Sequence, residues 1–215
     1  MNPFCPPPLP RLLLITEPVG SDGKDELLKR LEHALRGGAC HILVRLPGWS
    51  SRELHAMAVT MRTLVTPPSH LLIHDRVDIA LAVNADGVHL PATGLPTRVA
   101  RRILGNTPLL GRSCHTVTEA CQALADGANH VTLSPLFATC SHPGAIPLGL
   151  PHFTQMVQAI PGPVIALGGI TPDNIAQAMT TGAAGVATIR GVLQTQDPAH
   201  ATRLMLNILT APATR

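Results

Sequence analysis

The chain has 215 residues, a length near the lower end of the range for one (β/α)₈ barrel. Hydrophobic residues make up 45% of it and charged residues only 13%, which excludes a disordered chain and allows one large core. The formal net charge is +3 and aromatic residues make up 2%, so neither a strong basic patch nor a base-stacking surface for nucleic acid is expected.

The two ends of the chain are predicted to be short extensions of a single domain. Residues 1–10 are predicted to form a flexible Pro-rich arm, residues 11–211 a barrel and residues 212–215 a tail. The arm lacks the basic and apolar regions of a signal peptide, and no stretch approaches the roughly 20 apolar residues that cross a membrane. The five cysteines form no CxxC pair and no metal-ligand spacing, which predicts a protein of the reducing cytoplasm.

Short aliphatic runs follow one another along the whole chain. They are nearly continuous in apolar character, as expected for parallel strands that are covered on both faces. The predicted strands are residues 11–16, 41–46, 70–74, 87–90, 109–114, 130–134, 163–167 and 185–189.

Helical patterns lie between these runs. Apolar residues at helical spacing predict a helix around residues 27–35 and another around residues 54–64, and a last helix is predicted over residues 199–209. Start signals of the capping-box type, or with proline at the first helical position, mark other helices. These signals are Ser50 with Glu53, Thr116 with Glu119, and Thr171 with Pro172.

Alternating strands and helices of this number fit either an open doubly wound sheet or a closed barrel. A doubly wound sheet usually carries a Gly-rich turn after its first strand, whereas this chain has Ile15-Thr16-Glu17-Pro18 there. The sequence therefore predicts an α/β fold consisting of a single (β/α)₈ TIM barrel. In such a barrel the functional residues lie in the loops that follow the strands.

The turns after strands 7 and 8 predict a phosphate site. Gly168-Gly169 and the Ile189-Arg190 turn would expose backbone N–H groups near helix starts, as in the phosphate sites of other barrels. Thr139 and Ser141, in the loop after strand 6, could add hydroxyl donors, and Arg190 could add a positive charge. The alternative is that the glycines only form a tight turn.

His115 is the predicted acid–base residue. It follows strand 5 and precedes a helix start, where the helix dipole favours a neutral imidazole that can both accept and donate a proton. A purely structural histidine is the alternative. His74, His89 and His142 also fall after or at strand ends, so a three-histidine metal site stays open, although the spacing is not diagnostic.

Several segments form an ordered series along residues 11–195. They are residues 71–81 (LLIHDRVDIAL), 85–90 (ADGVHL), 111–115 (GRSCH), 139–142 (TCSH), 166–170 (ALGGI) and 185–187 (GVA). Together they resemble the thiamine phosphate synthase and TenI family. Residues 133–136 and 141–145 are most similar to a synthase-like branch that is sometimes fused behind a Nudix hydrolase.

The resemblance implies that Thr139, Ser141, Gly169 and the Ile189–Arg190 turn hold a thiazole phosphate. Further substrate contacts are predicted at Arg45, His74, Ser113, His142 and Gly168.

The chain departs from typical synthases where these bind the pyrophosphate of the pyrimidine substrate. A typical synthase has Gln-Leu-Arg-Glu-Lys after strand 2, whereas Arg45 is followed here by Leu-Pro-Gly-Trp. Asp75 is the one predicted Mg²⁺ ligand, because the second carboxylate of the family falls on Gly94. The lysine of the strand 6 loop falls on His142.

These departures favour a TenI-like thiazole tautomerase, in which His115 moves a proton between positions of the thiazole without a cofactor. A divergent thiamine phosphate synthase is the alternative; with Mg²⁺ it would join hydroxymethylpyrimidine pyrophosphate to thiazole phosphate. A non-catalytic phosphate-binding or regulatory relative is a third reading. The expected partner is a small-molecule thiazole phosphate, with no nucleic acid and no membrane. A homodimer and a functional link to a Nudix hydrolase are further hypotheses.

Overall fold

The computed structural model of the protein describes residues 7–17, 23–141 and 144–211. The strands are β1 (Leu12–Ile15), β2 (His41–Val44), β3 (His70–His74), β4 (Gly87–Leu90), β5 (Leu109–Cys114), β6 (His130–Leu133), β7 (Val164–Leu167) and β8 (Gly185–Thr188). The helices are α1 (Gly23–Arg36), α2 (Ser51–Leu64), α3 (Val77–Ala82), α4 (Thr97–Leu104), α5 (Val117–Ala125), α6 (Gly149–Ala159), α7 (Ile175–Met179), α8 (Arg190–Leu193) and α9 (Pro198–Thr210).

The strands close into one parallel barrel in the order β1 to β8. Closure joins the first strand to the last, with Leu12 beside Val186 and Leu14 beside Thr188. The predicted single (β/α)₈ barrel is therefore confirmed. The predicted arm and tail stay predictions, since residues 1–6 and 212–215 lie outside the described residues. In the part of the chain that is described, no helix is both long and apolar enough to cross a membrane.

Hydrophobic residues pack in two layers, because successive strand residues point to opposite faces of the sheet. The outer layer joins strand residues such as Leu14 and Ile73 to helix residues such as Leu31 and Met61. The inner layer fills the barrel and is smaller. Its buried members are Leu13, Ile15, Leu43, Leu72, Leu109, Ile165 and Ala187.

Histidines fill much of the remaining interior. The rings of His41 and His70 lie 4.9 Å apart, and those of His89 and His130 lie 5.6 Å apart. Residue 111, which lies against both His89 and His130, is a glycine. A Cβ at this position would lie 2.5 Å from His130 Nε2 and would also overlap His89 Nδ1. Burial lowers the pKa of His41 and of His130 to about 4, so these two rings are neutral near pH 7.

Three predicted helix starts have different outcomes. Ser50 and Glu53 form the full capping box of α2. The Thr116 side chain accepts from Glu119 N at the start of α5, but the Glu119 carboxylate accepts the N–H of His115 instead of that of Thr116. The predicted start at Thr171 and Pro172 is wrong, since α7 begins at Ile175 after a turn.

Candidate active site

A cavity of about 220 Å³ lies at the carboxyl ends of β6, β7 and β8. We call its polar wall the anion cradle, which consists of Thr139 and Ser141, the Gly168–Gly169 turn and the Ile189–Arg190 turn. These are six of the residues that the sequence predicts to bind substrate, and the structure brings them together. Other lining residues are Ala138, Cys140, Leu167, Ile170, Thr171, Ala187, Thr188 and Gly191.

Gly169 lets the backbone approach closely on one side of the cradle. Its φ is 66°, in the left-handed region, and a Cβ would lie 2.9 Å from Phe137 Cβ and would overlap the carbonyl oxygen of Ala138. The N–H groups of Gly169 and Arg190 donate to no other atom among the described residues. Free backbone N–H groups in such turns favour an anionic ligand.

Two side chains fix the turns of the cradle, and sequence reasoning missed both. Thr188 Oγ1 donates to the carbonyl of Ile170 at 2.8 Å and accepts from Gly191 N at 3.1 Å, which ties the β7 turn to the β8 turn. Asn174 Nδ2 donates to the carbonyl of Gly169 at 2.8 Å. These contacts explain the late start of α7, because Asn174 Oδ1 also accepts the N–H of Thr171 within the preceding turn.

Arg190 reaches the cradle with its charge already paired. Its Nε donates to Glu17 Oε2 at 3.2 Å, and Gln194 Nε2 donates to the same oxygen at 3.3 Å. The hydrogen bond to Glu17 raises the pKa of Arg190. The sequence predicts a positive charge at Arg190 but gives no sign of its partner Glu17, which follows β1 and lies 173 residues away.

A second cavity of about 150 Å³ adjoins the cradle and ends at His115. We call it the ring pocket. It shares five lining residues with the first cavity: Thr139, Ser141, Leu167, Gly168 and Ile189. Its own residues are His115, Ser134, Pro135 and Ala145. One small molecule can therefore reach both the cradle and the imidazole.

His115 is held at its backbone and at one ring nitrogen. Its backbone N–H donates to Glu119 Oε2 at 2.7 Å, and its ring Nδ1 lies 3.3 Å from the carbonyl oxygen of Ser134. A carbonyl can only accept, so Nδ1 carries the proton in this hydrogen bond and Nε2 of the neutral ring keeps a lone pair. The neighbouring Cys114 is no nucleophile, because burial raises the pKa of its thiol to about 12.

Three other predicted substrate residues lie outside both cavities. Ser113 belongs to an interior network, in which its Oγ lies 3.1 Å from His89 Nε2, and Thr132 Oγ1 lies 3.3 Å from the same nitrogen.

His74 is half-buried at the end of β3, where burial and then the charge of Arg45 lower its pKa. Arg45 is half-buried at the end of β2. His142 lies outside the described residues.

Asp75, the predicted Mg²⁺ ligand, faces a glycine. Asp75 is exposed, and Gly94 faces it so closely that a Cβ there would lie 2.7 Å from Asp75 Oδ1. Gly94 thus offers no second carboxylate, and Mg²⁺ in such sites is held by one or two carboxylates together with substrate phosphates. Within the described ranges, no group of three or more His, Cys, Asp or Glu side chains could hold a metal ion. The three-histidine site, which needs His142, stays a prediction.

Comparison with known proteins assigns the family. A model of the family described as thiamine monophosphate synthase matches residues 12–192, which run from β1 into α8. The chain belongs to the thiamine monophosphate synthase family. A putative thiamine-phosphate synthase of Geobacter sulfurreducens is 42% identical over 206 residues, which cover 95% of this chain and 96% of that protein.

Two further relatives show how far the similarity extends. The thiamine-phosphate synthase of Synechococcus is 37% identical over 93% of this chain, which spans 57% of the length of that longer protein. The solved structure of a thiamine phosphate pyrophosphorylase from Pyrococcus furiosus superposes with a TM-score of 0.81 and 32% identity, over 93% of this chain and 95% of that one. The similarity to that structure therefore extends over almost the whole barrel.

Proposed function

We propose that the protein is an enzyme of thiamine biosynthesis that binds a thiazole phosphate and isomerises it by proton transfer, as a TenI-like tautomerase. One observation carries the proposal. The anion cradle and the ring pocket adjoin and share five lining residues, so a phosphate in the cradle places an attached ring beside His115. The ligand is then a small molecule with one phosphate and one flat apolar ring.

The chemistry follows from the state of His115. Neutral imidazole with a free Nε2 takes a proton from one carbon of the bound thiazole system, and the resulting imidazolium returns a proton to another. The phosphate fixes the ring against His115. This reaction forms and breaks only bonds to hydrogen, so it requires neither Mg²⁺ nor a second substrate.

A second candidate is supported by the relatives. Proteins named thiamine-phosphate synthase or putative thiamine-phosphate synthase are 37% and 42% identical to this chain. Such a synthase would need to stabilise a leaving pyrophosphate, for which Mg²⁺ and cations are the usual means. Asp75 faces a glycine here, and Arg45 is the cation at the end of β2, so the donors present fit this reaction less well than proton transfer.

The test compares the two reactions with the same protein. In the presence of EDTA, the chain should convert the thiazole carboxylate phosphate between its tautomers, followed by proton NMR. His115→Asn should lower turnover by about 10²–10⁴-fold and leave thiazole phosphate binding nearly unchanged. The exposed His55 of α2 provides a control, because His55→Asn should leave both quantities unchanged.

The other outcomes decide between the alternatives. Formation of thiamine phosphate from hydroxymethylpyrimidine pyrophosphate and thiazole phosphate, with Mg²⁺ and without tautomerisation, would establish the synthase instead. Tight binding of thiazole phosphate with neither reaction would indicate a non-catalytic ligand-binding relative.

A further inference from the structure

The pair formed by Glu17 and Arg190 adjoins the anion cradle and has no role in the proton transfer. It links the second residue after β1 to the first residue of α8, across the seam where the barrel closes. Because Glu17 Oε2 accepts from both Arg190 and Gln194, the carboxylate is held on the β1 side of the cradle. The pair as a whole carries no net charge.

The order of strands around the barrel gives the position of Glu17 relative to a ligand that reaches from His115 through the cradle. Going round the barrel, His115 follows β5, the hydroxyls of the cradle follow β6, Gly169 follows β7, Arg190 follows β8 and Glu17 follows β1. A ring beside His115 and a phosphate in the cradle therefore define a direction. A second phosphate that continues in this direction around the barrel extends toward Glu17.

We propose that Glu17 is a specificity residue, which makes the cradle accept a phosphate monoester and reject the corresponding diphosphate ester. This inference rests on the proposed function, since it assumes that a thiazole phosphate binds with its ring at His115. Glu17 acts in two ways. It neutralises Arg190, so the cradle binds its anion mainly through backbone N–H and hydroxyl groups, and it repels negative charge that is added on the β1 side.

The donors of the cradle match this selectivity. The N–H groups of Gly169 and Arg190 and the hydroxyls of Thr139 and Ser141 surround a space of about 220 Å³. These donors are sufficient to bind a single phosphate group. A second group would find the half-buried carboxylate of Glu17, whose repulsion weakens with distance and with salt.

The experiment measures binding of two ligands built from the same alcohol, the monophosphate and the diphosphate of 4-methyl-5-hydroxyethylthiazole. Calorimetric titration at low salt gives both dissociation constants for the full chain and for Glu17→Gln. We expect the variant to bind the diphosphate about tenfold more tightly and the monophosphate at most about threefold more tightly, as removing one nearby charge implies. At high salt the difference should shrink.

Two further variants separate charge from position. Glu32→Gln removes the same charge at an i,i+4 pair with Arg36 near the end of α1, and it should leave the ratio of the two dissociation constants unchanged. Glu17→Asp keeps the charge and should keep most of the selectivity. The inference is overturned if Glu17→Gln has the same ratio as Glu32→Gln, or if Glu17→Asp loses the selectivity as Glu17→Gln does.

The same titrations distinguish this inference from the proposed function. If the native chain binds the monophosphate, and His115→Asn still binds it but does not turn over its substrate, an unchanged ratio in Glu17→Gln overturns only the role of Glu17. If neither the thiazole monophosphate nor inorganic phosphate binds, the proposed function is wrong and the inference is overturned with it.

Discussion

Replacement of Gly169 by alanine tests whether the cradle depends on a backbone that only glycine allows. The residue has a φ of 66°, and a left-handed conformation costs a non-glycine residue about 1–2 kcal/mol. The new Cβ would also lie 2.9 Å from Phe137 Cβ and would overlap the Ala138 carbonyl, so the turn must move. We expect Gly169→Ala to lower the free energy of unfolding by about 2–4 kcal/mol.

The same movement should displace the N–H of Gly169 from the anion. Loss of one hydrogen bond to a charged group costs about 1.5–3 kcal/mol, so phosphate affinity should fall about 10- to 100-fold. Gly182→Ala is the matched control, because Gly182 has a φ of 82° but an added Cβ would make only an ordinary contact, 3.7 Å from Val157 Cγ1. That control should cost about 1–2 kcal/mol of stability and no affinity.

Urea unfolding followed by circular dichroism measures the stabilities, and calorimetric titration with inorganic phosphate measures the affinities. Both variants must be compared under conditions where each is fully folded. If Gly169→Ala bound phosphate as tightly as Gly182→Ala does, the cradle would not be the anion site, and the reasoning from backbone N–H groups would be refuted.

Two other predictions concern stability. Because burial lowers the pKa of His130 from 6.5 to about 4, the unfolded chain binds more protons in this window, so the free energy of unfolding should fall as pH falls from 6.5 toward 4. His130→Leu should make that decline shallower in urea titrations and exposed His55→Leu should not; equal slopes for both would contradict the prediction. Ser50→Ala should cost about 1 kcal/mol by removing the α2 capping box, whereas an unchanged urea midpoint would show that water replaces it.

The barrel could be predicted from the sequence because its strands are buried on both faces. Runs such as residues 70–74 and 87–90 are continuous in apolar character, and their observed bounds equal the predicted ones. The start of α7 was predicted wrongly for a local reason. Pro172 is a good first helical residue, but Asn174 competes by bonding the N–H of Thr171 and the carbonyl of Gly169.

The site was predictable to the extent that it depends on strand ends. Gly169, Arg190 and His115 follow different strands, and the rule that barrel function lies after the strands is enough to bring them together. The ion pair of Arg190 with Glu17 could not be read in this way. It depends on the register with which β8 meets β1, and neither residue lies in a motif that would indicate the other.

The interior histidines show a second limit of reading the sequence. His41, His70 and His130 stand at the starts of their strands, and nothing in their spacing distinguishes them from surface residues. Only closure of the barrel turns them inward, where several ring nitrogens have no hydrogen-bond partner among the described residues. The predicted homodimer and the link to a Nudix hydrolase stay predictions for a related reason, since they depend on surfaces and partners beyond one chain.

The distribution of charge around the mouth is the main support for the proposed proton transfer. On the β7–β1 side, Arg190 is neutralised by Glu17, so the phosphate end relies on backbone N–H groups. On the β2–β4 side, Asp75 faces Gly94, Arg45 follows β2, and Arg112 donates to the carbonyls of Ala92 and Leu95 on either side of Gly94. Stabilising a leaving pyrophosphate needs concentrated positive charge, whereas moving a proton needs a held ring and one neutral base. The two adjoining cavities hold the groups that the proposed proton transfer needs, whereas on the β2–β4 side the carboxylate of Asp75 faces a glycine.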